Sequence, residues 1–147
     1  MKKTYLQIPF IFSFILLLAV NVSAHCEIPC GIYDDQMRIN LIKEHITTIE
    51  KSMIQILELE KEKHHHSNQL VRWIMNKENH ADKLQEIVSQ YFMTQRIKID
   101  TQNYEKKLGL LHQLLIFSMK CKQTADTKNT DQLKKIINDF EAIYFDK

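Results

Sequence analysis

From Asp34 to its last residue the chain has a single glycine, Gly109, and no proline. With so little to interrupt them, long helices are the default for this region, and the apolar residues recur as helices require. Ile39, Ile42, Ile46, Ile49, Met53 and Ile56 follow one another at spacings of 3, 4, 3, 4 and 3, which places all six on one helical face. Asp34 and Asp35 suit the start of that helix, as a cap and as a first-turn acid aligned with the helix dipole. The charged run ELEKEKHHHSN, from 58 to 68, is where the helix should end.

A second helical region is expected over 69–98, with Leu84, Ile87, Val88 and Tyr91 on one side and a break placed within 76–79. A third covers 103–122, where Leu108, Leu111, Leu115 and Ser118 form one stripe and Leu110, Leu114, Phe117 and Cys121 form another beside it. Gly109 inside that helix costs about 1 kcal/mol relative to alanine, which points to a close helix contact there. KQTADTKNTD reads as a loop, and the last helix carries Leu133, Ile136, Phe140 and Ile143. Four amphipathic helices with short connections each have one stripe to bury. The fold class is therefore all-α, a four-helix bundle over 34–147.

The first 24 residues, MKKTYLQIPFIFSFILLLAVNVSA, combine two lysines, an apolar run and small residues before Ala24. The apolar core from Phe10 to Val20 is 11 residues, short of the ~20 that a membrane span needs. The segment 1–24 reads as a Sec-type signal peptide cut after Ala24, leaving 25–147 in the periplasm or outside the cell with no stable membrane anchor. Lys2 and Lys3 carry the whole formal excess of +2, so 25–147 holds 18 basic and 18 acidic residues. That balance gives no reason to expect nucleic acid as a partner.

Cleavage makes His25 the first residue and turns its amide nitrogen into an amine. The amine, the backbone nitrogen of Cys26 and the Cys26 sulfur then close successive five-membered chelate rings on one metal, and Cys30 returns across the Glu27-Ile28-Pro29 turn to fill the fourth corner. The His25 imidazole reaches an axial position. Planar nitrogen and thiolate donors suit nickel(II) or copper(II) rather than tetrahedral zinc. Affinity alone favours copper, so the donor set does not exclude it, but thiolates readily reduce copper(II), which leaves nickel as the better stable divalent occupant.

The stretch HCEIPCGIYD, 25–34, resembles the nickel hook of nickel-containing superoxide dismutases, His-Cys-x-x-Pro-Cys-Gly-x-Tyr, with every fixed position present. The resemblance implies one nickel ion per chain, held by His25, Cys26 and Cys30, in a hook spanning 25–33. It implies that Pro29 and Gly31 shape the turn, and that Tyr33 stands beside the open face of the metal in a catalytic role, limiting access and ordering water. The implied activity is dismutation of superoxide to oxygen and hydrogen peroxide by Ni(II)/Ni(III) cycling, in a four-helix bundle that assembles as a homohexamer. In the family a glutamate early in the first helix and an arginine further on hold the axial imidazole. Asn40 and His80 stand at those places here, in an alignment that needs gaps at both.

Two other functions compete: an exported helical protein that binds nickel or copper without turnover, and a helical interaction protein whose Cys26–Cys30 disulfide pins its amino-terminal turn. A thioredoxin-like role is weaker, since the spacing is Cys-x-x-x-Cys with no βαβ pattern around it. His64, His65 and His66 point around a helix rather than converging and read as a solvated helix end. His45 reads as a partly buried bundle histidine, His80 and His112 as ambiguous, and Cys121 as a small buried hydrophobe. Trp73, Tyr91 and Phe92 read as core or subunit-contact aromatics.

Overall fold

The computed structural model describes residues 31–62 and 66–146. The segment 1–24 read as a signal peptide, and His25, Cys26, Cys30, His64 and His65, lie outside them. Helix α1 spans Asp35–Lys61, α2 Ser67–Glu86, α3 Tyr104–Gln123 and α4 Lys128–Phe145, and a π-helix, Ile87–Arg96, continues α2. No strand occurs among the described residues, and no helix there is long and apolar enough to cross a membrane.

The Asp34 carboxylate caps α1 by accepting the Met37 N–H at 2.9 Å, which satisfies one of the donors a helix start leaves free. The six residues of the expected stripe are all buried, together with His45 and Ser52. Sequence neighbours are joined by short connections and pack side by side, and α1 also packs on α4, which closes the ring of four. Three contacts fix the direction of α1 against the second helical region: Asp35 meets Tyr91, His45 meets His80 and Ser52 meets Asn76. One partner number rises as the other falls, as antiparallel helices demand.

Four expectations are corrected. The second helix does not break within 76–79; the polar residues there bind neighbouring helices. Asn76 donates to the Ser52 hydroxyl at 2.9 Å. Buried Lys77 donates to the Cys121 carbonyl at 2.6 Å and also to that of Lys122, covering carbonyls left open at the end of α3. The buried face of α3 is neither predicted stripe but a blend, Lys107, Leu111, Leu114, Ser118 and Cys121, because the two stripes adjoin in one broad apolar arc of which the middle is buried while Leu108, Leu110, Leu115 and Phe117 at its flanks are half-buried. Gly109 makes no close helix contact, since a Cβ built there would meet nothing within 4 Å. The loop between α3 and α4 is only 124–127, and the polar residues around it form helix ends. In α4, Leu133, Ile136, Ile137 and Phe140 are buried while Ile143 is half-buried.

His45 and His80 face each other with Nδ1···Nδ1 at 3.0 Å and rings edge to face at 5.0 Å. Burial lowers the pKa of both; Lys83 depresses each further, His80 depresses His45, and Glu44 opposes. The unfolded chain therefore binds protons more readily than the folded one, so this pair's contribution is complete above about pH 6.5 and is withdrawn as pH falls below it. We predict that the urea midpoint drops on acidification through this range, and that the double substitution His45→Gln, His80→Gln flattens that part of the profile. An unchanged slope in the double variant would assign the effect to other groups.

Candidate functional site

The segment that leads into α1 is described from Gly31 onward. Gly31 has φ of +78°, a left-handed conformation that costs other residues roughly 1–2 kcal/mol, so a turn between Cys30 and α1 has the residue it needs. Ile32 is 81% exposed and Tyr33 41% exposed. The Tyr33 ring meets the edge of Tyr91 with centroids 5.9 Å apart, and the Arg96 guanidinium lies over it at 4.3 Å.

Behind Tyr33, the Asp35 carboxylate collects four hydrogen bonds. The Tyr91 hydroxyl donates to Oδ1 at 2.6 Å and Arg96 Nε to the same oxygen at 2.8 Å. Arg96 Nη2 and the Tyr144 hydroxyl donate to Oδ2 at 2.6 and 2.8 Å. One first-turn residue thus joins the start of α1, the π-helix and the end of α4. Burial alone would raise the Asp35 pKa, but the bonds from Arg96, Tyr91 and Tyr144 outweigh it and hold the carboxyl below its ordinary value. Burial, and then the bond to Asp35, pushes the Tyr91 hydroxyl well above the usual phenol range and the Tyr144 hydroxyl up to about 12. Arg38 lies over the other tyrosine of the pair, 5.1 Å from the Tyr91 centroid.

The remaining sequence-predicted positions are dispersed. Asn40 is exposed, accepts from Gln36 at 3.3 Å and lines a shallow groove of ≈ 400 Å³ with Asp34, Gln36, Met37, Leu41 and Glu44. His80 is half-buried and engaged with His45. His66 precedes α2, exposed, with Nε2 2.8 Å from Glu62. Tyr91 and Phe92 are buried core, and Trp73 is half-buried. Cys121 is wholly buried, with burial pushing its thiol up to about 12, so it is a poor source of thiolate. Among the described residues no three His, Cys, Asp or Glu side chains converge on a metal position. The grouping of Asp35, Arg96 and Tyr144 escaped sequence reading, which took Asp35 for a helix-dipole residue only.

A helical bundle whose first helix is preceded by one histidine and two cysteines within six residues carries a set of side chains able to bind a metal ahead of that helix. The chain belongs to the nickel-containing superoxide dismutase family, whose family model matches residues 20–147, the whole of 25–33 included. It is accordingly an enzyme with a nickel cofactor and superoxide as its substrate. No curated protein and no solved structure matches it.

The tyrosine cluster yields a direct test. Two phenols should ionise well above about pH 10, as read from tyrosinate absorbance, and Asp35→Asn should bring both down without reaching ordinary values, because burial persists. Ionisation of every tyrosine together near pH 10 in the parent protein would contradict the cluster.

Proposed function

We propose that superoxide is dismuted at the amino-terminal hook, 25–33, created when the signal peptide is cut after Ala24 and the mature chain is exported to the periplasm or beyond the cell. The observation that carries this reading is the family match across 20–147, together with the presence of each hook residue at its fixed spacing. The donor chemistry fits the cofactor: His25 offers an amine and an imidazole, Cys26 an amide nitrogen and a thiolate, and Cys30 a second thiolate, and electron-rich sulfur and amide donors make Ni(III) accessible. Nickel held there would supply the one-electron couple by which one superoxide is oxidised to oxygen and a second, with two protons, is reduced to hydrogen peroxide.

The chain's own residues then have separate tasks. Pro29 and Gly31 turn the backbone so that Cys30 reaches the same ion as Cys26, and the positive φ of Gly31 accords with that. Tyr33, 41% exposed and braced by Tyr91 and Arg96, limits access and orders water, with its hydroxyl available to hold a proton for the reduced product. At the places aligned with the family's glutamate and arginine this chain carries Asn40 and His80, so the His25 imidazole would lack those two partners. Assembly as a homohexamer, with one nickel ion per chain and no retained membrane anchor, completes the proposal.

Two experiments test it. Cys26→Ser and Cys30→Ser should each abolish dismutation and nickel retention while leaving helix content unchanged, since thiolates are the donors; Cys121→Ala should keep activity. Near-parental turnover in Cys26→Ser would refute the site. The second places one extra alanine ahead of His25. Its nitrogen is then an amide with no basic lone pair, so a folded helical protein with little dismutation is expected, recovering when the alanine is removed. Full activity with the alanine confirmed in place by mass would show that the free amine is dispensable.

A further inference from the structure

The π-helix is the irregular element of the bundle, and its register decides which side chains reach Asp35. Tyr91 and Arg96 are five residues apart. In an α-helix that separation would turn their side chains about 140° from each other, whereas bonding from residue i to i+5 stacks them on one side. The wider register is visible in the Ile97 N–H, which donates to the Phe92 carbonyl at 2.9 Å, and in the Thr94 hydroxyl, which donates to the Ser89 carbonyl at 2.7 Å. As a result Tyr91 and Arg96 share the same carboxylate oxygen of Asp35.

We propose that Arg96 is the positioning residue for Tyr33, held edge-on by Asp35 with its face across the Tyr33 ring and delivered there by the π-helical register of Ile87–Arg96. The proposal rests on the reading of Tyr33 as the residue beside the metal. Tyr91 and Tyr144 already tie α1, the π-helix and α4 together through Asp35, so closing this end of the bundle does not itself require the guanidinium. What Arg96 adds is a flat cation 4.3 Å from the centre of a ring that is 41% exposed and that meets, among the described aromatic residues, the ring of Tyr91. The bidentate bond to both Asp35 oxygens fixes the plane of the guanidinium, and the stacked ring takes its orientation from that plane. Lysine keeps the charge but supplies neither the fork nor the face.

The test uses natively processed, nickel-loaded protein in which tyrosine is replaced by fluorotyrosine, with the Tyr33 fluorine resonance assigned by its disappearance in Tyr33→Phe. Arg96→Met and Arg96→Lys should both move that resonance toward the position of free fluorotyrosine and narrow it, with helix content unchanged and turnover reduced several-fold. Asp35→Asn should move it in the same direction, because the guanidinium loses its anchor. Where Arg96→Met loses helix content, Arg96→Lys carries the comparison. An unmoved Tyr33 resonance in a folded Arg96 variant overturns the assignment. Full turnover in Tyr33→Ala, with the Arg96 variants still freeing the ring, overturns the placement of Tyr33 beside the metal and leaves Arg96 as the residue that orients it.

Discussion

The Asp35 carboxylate is the interaction on which one end of the bundle depends. It lies in the first turn of α1, where a negative charge complements the helix dipole, and it accepts from Arg96, Tyr91 and Tyr144 together. A hydrogen bond to a charged group contributes about 1.5–3 kcal/mol, while an exposed i,i+4 pair such as Lys135–Asp139 contributes about 0.3–0.5 kcal/mol. The partly buried cluster therefore outweighs the surface ion pairs. Two of its members, Arg96 and Tyr91, are also the groups that touch Tyr33, so the stability of this corner and the orientation of the residue three positions after Cys30 are set by the same carboxylate.

The opposite end is closed with the reverse charge. Lys77 carries its ammonium inward to the last carbonyls of α3, where a cation complements the negative end of the helix dipole. A buried lysine is costly unless its donors are used, and here carbonyls and the Glu78 carboxylate at 3.1 Å use them. Between the two ends, polar contacts recur along the helix pairs: His45 with His80, Asn76 with Ser52, and the Ser118 hydroxyl with the Ala81 carbonyl at 3.1 Å. Sliding one helix along another would break several of these at once, so they define a register that apolar packing alone leaves loosely specified.

What was legible in the sequence followed from how strict each pattern was. The stripe of α1 could be read residue by residue because polar residues fill the opposite face. In α3, Leu108, Leu110, Leu111, Leu114, Leu115 and Phe117 form an apolar arc about half the circumference wide, and periodicity could not tell which part of it is fully buried, nor that Lys107 belongs there. Polarity within 76–79 suggested a break, but polarity does not distinguish a residue that meets water from one that meets a neighbouring carbonyl. The π-helix escaped because helical periodicity assumes 3.6 residues per turn. The proposed hook could be read because its pattern is local, six fixed identities within nine residues. Asp35 could not, because its partners stand 56, 61 and 109 residues further along the chain.

The same contrast extends to the cysteines. A thiol serves as metal ligand or nucleophile only as thiolate, and it is the thiolate that peroxide oxidises. An enzyme that makes hydrogen peroxide, with Cys26 and Cys30 as its proposed metal ligands, gains nothing from a third reactive sulfur. Cys121 is kept out of that chemistry by its surroundings: it is fully buried in α3, its thiol is pushed up to about 12 by burial, and only the nearby charge of Lys77 pulls the other way. Lys77 spends its donors on the backbone carbonyls of Cys121 and Lys122, and its charge only partly offsets the burial that keeps the sulfur protonated. The bundle thus holds its cysteine as an apolar packing residue, and the reactive thiols proposed for the enzyme belong to the short segment ahead of the first helix.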